Sequence, residues 1–454
     1  MADKTLKSLK IFGGADNYFP LPIVSTNDNN KILSVVNGEW VVKEDLSCDD
    51  TGQYVWSKRD SADGPVTGYV ISNDGEKYPD GGWSDGVFYT LELEPVTYLT
   101  FDGNEDFTLK TYNTTKNWDG TLEYSTDTKT WNTWDGTEIS SAGSKLYLRG
   151  TGNTKITSND GTSSFTFIGT NTLKITCEGN IENLLDYTTV RSGGHPTMAD
   201  YCYGYMFHNC ISLTLAPALP ATTLTNGCYN NMFYGCTSLT TAPELPATTL
   251  ATSCYNAMFR GCTALTTAPA LPATTLDEYC YVSMFDGCTS LTTAPALPAT
   301  KLADDCYRGM FYKCTSLTTA PALPATTLAV YCYNNMFYGC TSLTIAPALP
   351  ATKLARNCYR GMFQNCTSLT TAPELPATTL ANYCYMYMFQ GCTKIKLSTT
   401  QTGEYQTPYR IPTSGTGTTA TNALKDMFAN TGGTFTGAPE INTTYYLSTS
   451  NTVV

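Results

Sequence analysis

At 454 residues the chain is long enough for roughly three or four domains, and only 15% of it is charged, with a formal net charge of -12. That balance excludes nucleic-acid binding by phosphate neutralisation, which needs a basic surface. An abundance of Thr, Gly, Asn and Tyr points to β structure and turns, and no apolar run of spanning-helix length occurs.

The opening "MADKTLKSLKIFGGADNYFP" has lysines but no apolar core of signal-peptide length, so a soluble chain starting at or near residue 1 is expected. Within residues 1–45, "NNKILSVVNGEWVV" predicts two short strands joined at Asn37-Gly38, a favoured hairpin turn. This segment resembles the N-terminal segments of bacteriophage fibre and decoration proteins. The resemblance implies a virion attachment segment that docks on capsid or tail proteins, and a homotrimer by analogy with fibres.

Residues 46–94 hold "GQYVWSKRD" and "GYVISNDGEKYPDGGWSDGVFYTLE", where aromatics alternate with polar residues between frequent turns. A small β module is expected there, similar to one seen in tail-associated proteins of gut phages. Residues 95–168 carry "VTYLTF", "TLEYST", "KLYLRG" and "SFTFIG" at regular spacing, which predicts a β-sandwich of the Ig-like spacer kind. Asp-Gly pairs at 63, 74, 85, 102, 119, 135 and 160 read as turns, since no calcium-loop pattern surrounds them. Residues 169–201, with "TNTLKITCEGNIENLLDY", read as the N-terminal cap of the array that follows.

From Cys202 to Ile395 one unit recurs eight times, as in "CYNNMFYGCTSLTTAPELPATTLATS" from Cys228. Sixteen of the 18 cysteines fall at two fixed places in it, the first at 202, 228, 254, 280, 306, 332, 358 and 384 and the second eight residues on; Cys48 and Cys177 lie outside. Such regularity marks a packing position filled by free thiols, rather than a disulfide framework or a zinc site, for which His195 and His208 are the only histidines. The apolar offsets 0, 1, 4, 5 and 8 from the first cysteine predict about two turns of helix. A Gly or Asn before the second cysteine ends it, with Lys313 the exception. A Thr-flanked Leu then predicts a short strand, the prolines a corner, and "ATTL" an extended return. One unit cannot bury its own apolar face, but stacked copies can.

The unit "CYxxMFxGCTSLTTAPxLPATTL" resembles the BspA-type leucine-rich repeats of gut and oral bacteria. The fold expected for the chain is therefore multidomain: all-β modules followed by an α/β leucine-rich-repeat solenoid of 26-residue coils over 202–395. Residues 396–454, where Met427-Phe428 and "GAPEI" return, read as a degenerate repeat and C-terminal cap. The resemblance implies adhesion rather than chemistry.

Catalytic motifs are missing: there is no P-loop, G-x-S-x-G, H-E-x-x-H or dinucleotide fingerprint, and no cofactor or metal is expected. Adjacent Asp304 and Asp305 lie in a variable corner and read as solvated. Comparison between copies places variation on outward positions: Asn230, Asn231, Tyr234, Arg260, Asp286, Arg308, Tyr312, Asn334, Asn335, Tyr338, Arg360, Gln364 and Gln390, with Tyr279, Tyr331 and Tyr383 at the preceding corner. These are candidate binding residues, because Tyr gives rigid area and Asn adaptable hydrogen bonds; drift of exposed positions after duplication would leave the same pattern. A uniform column at Thr240, Thr266, Thr292, Thr318, Thr344 and Thr370 reads as a sheet face.

The expected function is a virion structural protein, a head or tail fibre of a phage of gut bacteria. It would display the repeats at the virion surface toward a host-surface or mucosal glycan or protein, without membrane insertion. A bacterial cell-surface adhesin of the same repeat family is the alternative, and a polysaccharide-cleaving spike the remote one.

Overall fold

The computed structural model describes residues 98–454, except 114–115, 159–160, 162, 412–419 and 442; before residue 98 it describes the backbone of seven strands alone. The chain divides into two compact units, residues 1–96 and 97–454.

In the first unit, β1 (Ser8–Lys10) pairs antiparallel with β2 (Tyr18–Pro20). β3 (Ile32–Val36) pairs antiparallel with β4 (Glu39–Lys43), Val36 facing Glu39. The expected strands flanking Asn37-Gly38 are therefore present, while the two turn residues lie outside the described ones. β5 (Tyr54–Arg59) is the centre of a three-stranded sheet between β6 (Val66–Ile71) and β7 (Phe88–Leu93). Cys48 and the Asp-Gly pairs at 63, 74 and 85 also lie outside the described residues.

The second unit begins with two facing sheets. β8 (Leu99–Gly103), β10 (Thr121–Ser125), β11 (Asn132–Thr133), β13 (Lys145–Thr151), β15 (Ile175–Glu178) and β16 (Leu213–Leu215) form one, in the order β11-β10-β13-β8-β15-β16. β9 (Thr108–Thr111), β12 (Ile139–Ser140) and β14 (Phe165–Ile168) form the other. Alternating residues point inward, and Phe101 of the first sheet meets Phe165 and Phe167 of the second at ring distances of 6.3 and 5.1 Å. Asp102-Gly103 is not a turn: it lies inside β8, with Asp102 opposite Lys145 and Gly103 opposite Ile175. The larger sheet runs past the expected boundary at residue 168. β15 pairs with β8 on one side and, in parallel, with β16 of the first coil on the other.

The repeats form stacked coils, and here the expected helix gives way to something else. In the copy starting at Cys228, the amides of Asn230, Met232, Tyr234 and Cys236 bond carbonyls three residues back. Those of Tyr229, Asn231, Phe233 and Gly235 bond carbonyls of the next coil, at 2.8–3.0 Å. Gly227, Asn231 and Gly235 have φ of 60°, 53° and 72°. A left-handed residue every fourth position forbids an α-helix, so the segment is a run of four-residue turns. The offsets 0, 1, 4, 5 and 8 are a period of four, which departs from the helical 3.6 by about 40° per turn. The α/β expectation is thus corrected: the array is β-rich and turn-rich, and the one helix among the described residues is α1 (Asn183–Arg191). Strands shrink as well, to isolated parallel bridges: a column Leu215↔Thr241↔Thr267↔Thr293↔Thr319↔Ile345, and on the return leg Thr249↔Thr275 and Thr327↔Lys353.

The five apolar positions of the Cys228 copy are all 0% exposed. Tyr203, Tyr229, Tyr255, Tyr281, Tyr307, Tyr333, Tyr359 and Tyr385 stack face to face, with centroids 5.6–5.8 Å apart. The phenylalanines from Phe207 to Phe389 do the same at 5.5–5.8 Å. Each column is a continuous apolar interior that a single coil cannot supply.

Both ends are closed by borrowed parts. At the front, Phe165 of β14 plays the part of a coil phenylalanine: its amide bonds Met206 O at 2.7 Å and its carbonyl accepts the Cys210 thiol at 3.0 Å. At the back, the amide of Tyr359 bonds the carbonyl 25 residues on, whereas that of Tyr385 bonds Ala423, 38 residues on. The eighth coil, from Cys384, is therefore 13 residues longer than the others, and Phe428 of the degenerate ninth still stacks on Phe389 at 5.3 Å. Around it lie β17 (Thr371–Ala372), β18 (Lys396–Ser398), β19 (Tyr405–Arg410), β20 (Gly432–Gly433), β21 (Thr444–Ser448) and β22 (Thr452–Val453), in a sheet ordered β19-β21-β18-β20 and a separate β17-β22 pair.

Candidate binding face

The outward positions are set by the turn geometry. The residue six after the first cysteine follows Phe and precedes the left-handed Gly, so its side chain leaves the stack and meets its equivalents above and below. The structure fills this column with matched neighbours. His208 stacks on Tyr234 (4.9 Å), Arg260 Nε meets Asp286 Oδ2 (2.9 Å), Tyr312 stacks on Tyr338 (4.4 Å), and Gln364 bonds Gln390. Burial raises the Asp286 carboxyl above its usual range, against the lowering pull of Arg260 and Lys313. Burial also lowers the His208 imidazole.

The other expected residues divide. Asn231 and Asn335 take left-handed φ of 53° each, a backbone duty that Asn tolerates; Asn231 also bonds the side chain of Asn230. Asn334 is buried rather than outward, a correction to its place on the binding face. Tyr279, Tyr331 and Tyr383 sit at left-handed corners, with φ of 56–59°, and Tyr279 is exposed. Arg308 reaches Asp305 (3.1 Å) and lies over Tyr331, while Arg360 lies over Tyr387. Asp305, expected to be solvated, is buried, and burial raises its carboxyl against the opposing Arg308 hydrogen bond.

Sequence comparison missed Arg356, Tyr387 and His208. Arg356 lies among the three variable residues before the cysteine, so the variation that singles out Tyr279, Tyr331 and Tyr383 covers it as well. The Thr column is also busier than a bare sheet face, because Thr240, Thr318 and Thr370 donate their hydroxyls to carbonyls of the preceding coil at 3.1–3.3 Å.

The seventeen described cysteines are buried with free thiols, and burial pushes Cys228, Cys306, Cys366 and Cys384 up to about 12. Thiols so far from ionisation are poor nucleophiles. His195 Nδ1 pairs with the buried Glu182 at 2.9 Å. Among the described residues no three His, Cys, Asp or Glu side chains cluster to hold a metal, and no helix is long and apolar enough to cross a membrane.

Residues 195–318 and 304–406 match the family model described as the BspA type leucine rich repeat region, in six copies. The coils are BspA-type leucine-rich repeats. Residues before 195 lie outside that match, and no comparison supports the likeness of residues 1–45 to phage fibre segments. No curated protein matches the chain. The crystal structure of a leucine-rich repeat protein from Bacteroides ovatus is 16% identical over 50% of this chain and 91% of that one, with a TM-score of 0.18, too low to carry an argument. The BspA-type repeats thus account for the uniform interior, and the outward column varies upon it.

Proposed function

We propose that the protein is a cell-surface binding protein of the BspA kind, adhering through the outward columns of its coil stack and carrying out no catalysis. The observation behind this reading is the contrast between two columns of the same coils. The Tyr, Phe and Cys columns are invariant and buried, while six residues past the first cysteine the stack shows His208, Tyr234, Arg260, Asp286, Tyr312, Tyr338, Gln364 and Gln390. Aromatic, amide and ionic groups on a rigid scaffold suit recognition at low entropic cost. The virion-fibre reading rests on residues 1–45 alone; the adhesin reading needs only the repeats and is the better supported of the two.

Immunogold labelling of intact bacteria producing the protein tests this. Label on the cell surface, with protein in the envelope fraction, is the expected result. Recovery with purified phage particles and none in the envelope overturns it. Replacing Tyr312 and Tyr338 by Ala is expected to weaken adhesion of the purified protein to its target surface while leaving the melting temperature nearly unchanged.

A further inference from the structure

The charge of this chain is unevenly spread. The eight coils hold eight Lys and Arg residues between 202 and 395, and six of them fall within 301–360: Lys301, Arg308, Lys313, Lys353, Arg356 and Arg360. Only Asp304 and Asp305 oppose them there, leaving a net of +4 on a chain of -12. The fifth, sixth and seventh coils are consecutive in the stack, and Arg308, Arg356 and Arg360 gather there at the turn around the first cysteine, while Lys313 lies within electrostatic reach of Asp286 in the coil before.

This arginine patch is organised. Arg308 Cζ and Arg356 Cζ lie 5.6 and 5.3 Å from the ring centroid of Tyr331, one from the coil before it and one from the coil after. Arg360 Cζ lies 5.8 Å from the Tyr387 ring. Stacking on a ring holds a guanidinium in place while leaving its N–H edge free to pair with an oxyanion. The two acids are already engaged: Asp305 accepts from Arg308, within electrostatic reach of Arg356, and Asp304 accepts the Val330 amide at 2.8 Å. Among the described residues neither Arg356 nor Arg360 has a carboxylate within ion-pair distance. Beside them on the same coils stand Asn335, Tyr338, Gln364 and Asn365, neutral groups suited to hydroxyls.

We propose that this patch binds an acidic polysaccharide, its carboxylates or sulfates taken by Arg356, Arg360 and Arg308 and its hydroxyls by the neighbouring amides. The proposal rests on the adhesion reading and names a ligand class for it. A local positive field on an acidic protein draws anions to one place and repels them elsewhere. Planar, pre-stacked guanidinium groups favour oxyanions over simple counterions.

The test uses the full chain immobilised on a biosensor, with alginate (uronate only), dextran sulfate (sulfate only), neutral dextran and polyglutamate as probes. Saturable binding of alginate or dextran sulfate, weakened about tenfold or more by R356A/R360A with the melting temperature retained, is the expected result. The arm that binds tells carboxylate from sulfate. R356K/R360K keeps the charge and loses the planar fork, and is expected to bind nearly as poorly as the alanine pair. Equal binding of dextran, equal or tighter binding of polyglutamate, full binding by the lysine pair, or no loss in the alanine pair overturns the proposal. Cell adhesion that survives R356A/R360A while both anionic arms stay flat sinks this inference and leaves the adhesion reading standing.

Discussion

The thiol of Cys236 donates to the carbonyl oxygen of Phe207, 3.0 Å away in the preceding coil, and the same bond recurs from Cys262 to Phe233 and on to Cys392 and Phe363. That oxygen also accepts the amide of Cys210. The second cysteine is therefore a small apolar filler that still supplies one weak donor, a combination neither Ala nor Val offers. Replacing Cys236 by Ala is expected to cost about 1–2 kcal/mol, from lost packing and the lost bond. Ser keeps a donor there and is expected to recover part of the loss. A serine variant melting as low as the alanine one would mean that volume alone matters at this site.

Burial also fixes how these columns respond to pH. An unfolded thiol ionises near about 8.5, and in the fold Cys228, Cys306, Cys366 and Cys384 are pushed up to about 12 by loss of water. A group raised in the fold contributes stability that is whole below its unfolded pKa and is lost as pH climbs through its folded value. The melting temperature is thus expected to hold to about pH 8.5 and then fall steadily. Native protein at pH 8 is expected to resist iodoacetamide at the seventeen described cysteines and to react at all of them in denaturant. A flat profile through pH 11, or ready alkylation of the native protein, contradicts buried columns.

Glycine in the turns has two separate reasons to be there. Gly235 and Gly261 are both left-handed, at φ of 72° and 74°. A Cβ on Gly235 would fall 2.2 Å from Asn209 Oδ1 in the coil before, whereas one on Gly261 would meet only Gly235, at 3.7 Å. Gly261→Ala is expected to cost about 1 kcal/mol for the backbone alone. Gly235→Ala is expected to cost about 0.5–1.5 kcal/mol more, the strain of displacing the Asn209 side chain. Adding Asn209→Gly is expected to remove that excess and leave the Gly261 variant untouched. Equal melting of the two single variants, or no rescue, rules out the contact.

The same glycines show how far the sequence could be read. The repeat length, the buried set from Cys228 to Cys236 and the left-handed residue before the second cysteine all follow from composition and spacing, because an interior column accepts few side chains. Even Lys313 takes that conformation, with φ of 55°. The segment reads as a helix because two turns are too short to separate a period of four from 3.6, and because the other left-handed positions hold ordinary residues such as Ala257 and Ser283. The part played by Phe165 had no local signal, since a strand 37 residues before Cys202 closes the column only in three dimensions. At the candidate binding face, variability singles out Arg260 and Asp286 but not their pairing, because a contact between coils leaves no mark within one copy.

Asn451 offers the sharpest test of how the back of the stack is held. It is 2% exposed. Its Nδ2 donates to Thr370 O and Lys394 O, both at 2.9 Å, and its Oδ1 accepts the Lys396 amide at 3.0 Å. One side chain thereby joins the seventh coil, the strand of the eighth and the C-terminal strand, which pairs in parallel as Thr371↔Thr452 and Ala372↔Val453. Asn451→Ala removes three hydrogen bonds, leaving the Thr370 carbonyl only the Thr452 amide at 3.4 Å, an expected loss of about 1–3 kcal/mol spread over local and global unfolding. Asn451→Asp keeps the acceptor but sets an anion against the same two carbonyls, and is expected to be at least as damaging. Carboxypeptidase trimming is the readout, because only residues released from β22 reach the protease. The native chain is expected to resist and the alanine variant to lose its last residues while the Tyr and Phe columns stay folded by near-ultraviolet circular dichroism. Equal trimming of both would show that Asn451 does not hold the tail, and that the pairing at Thr452 and Val453 suffices.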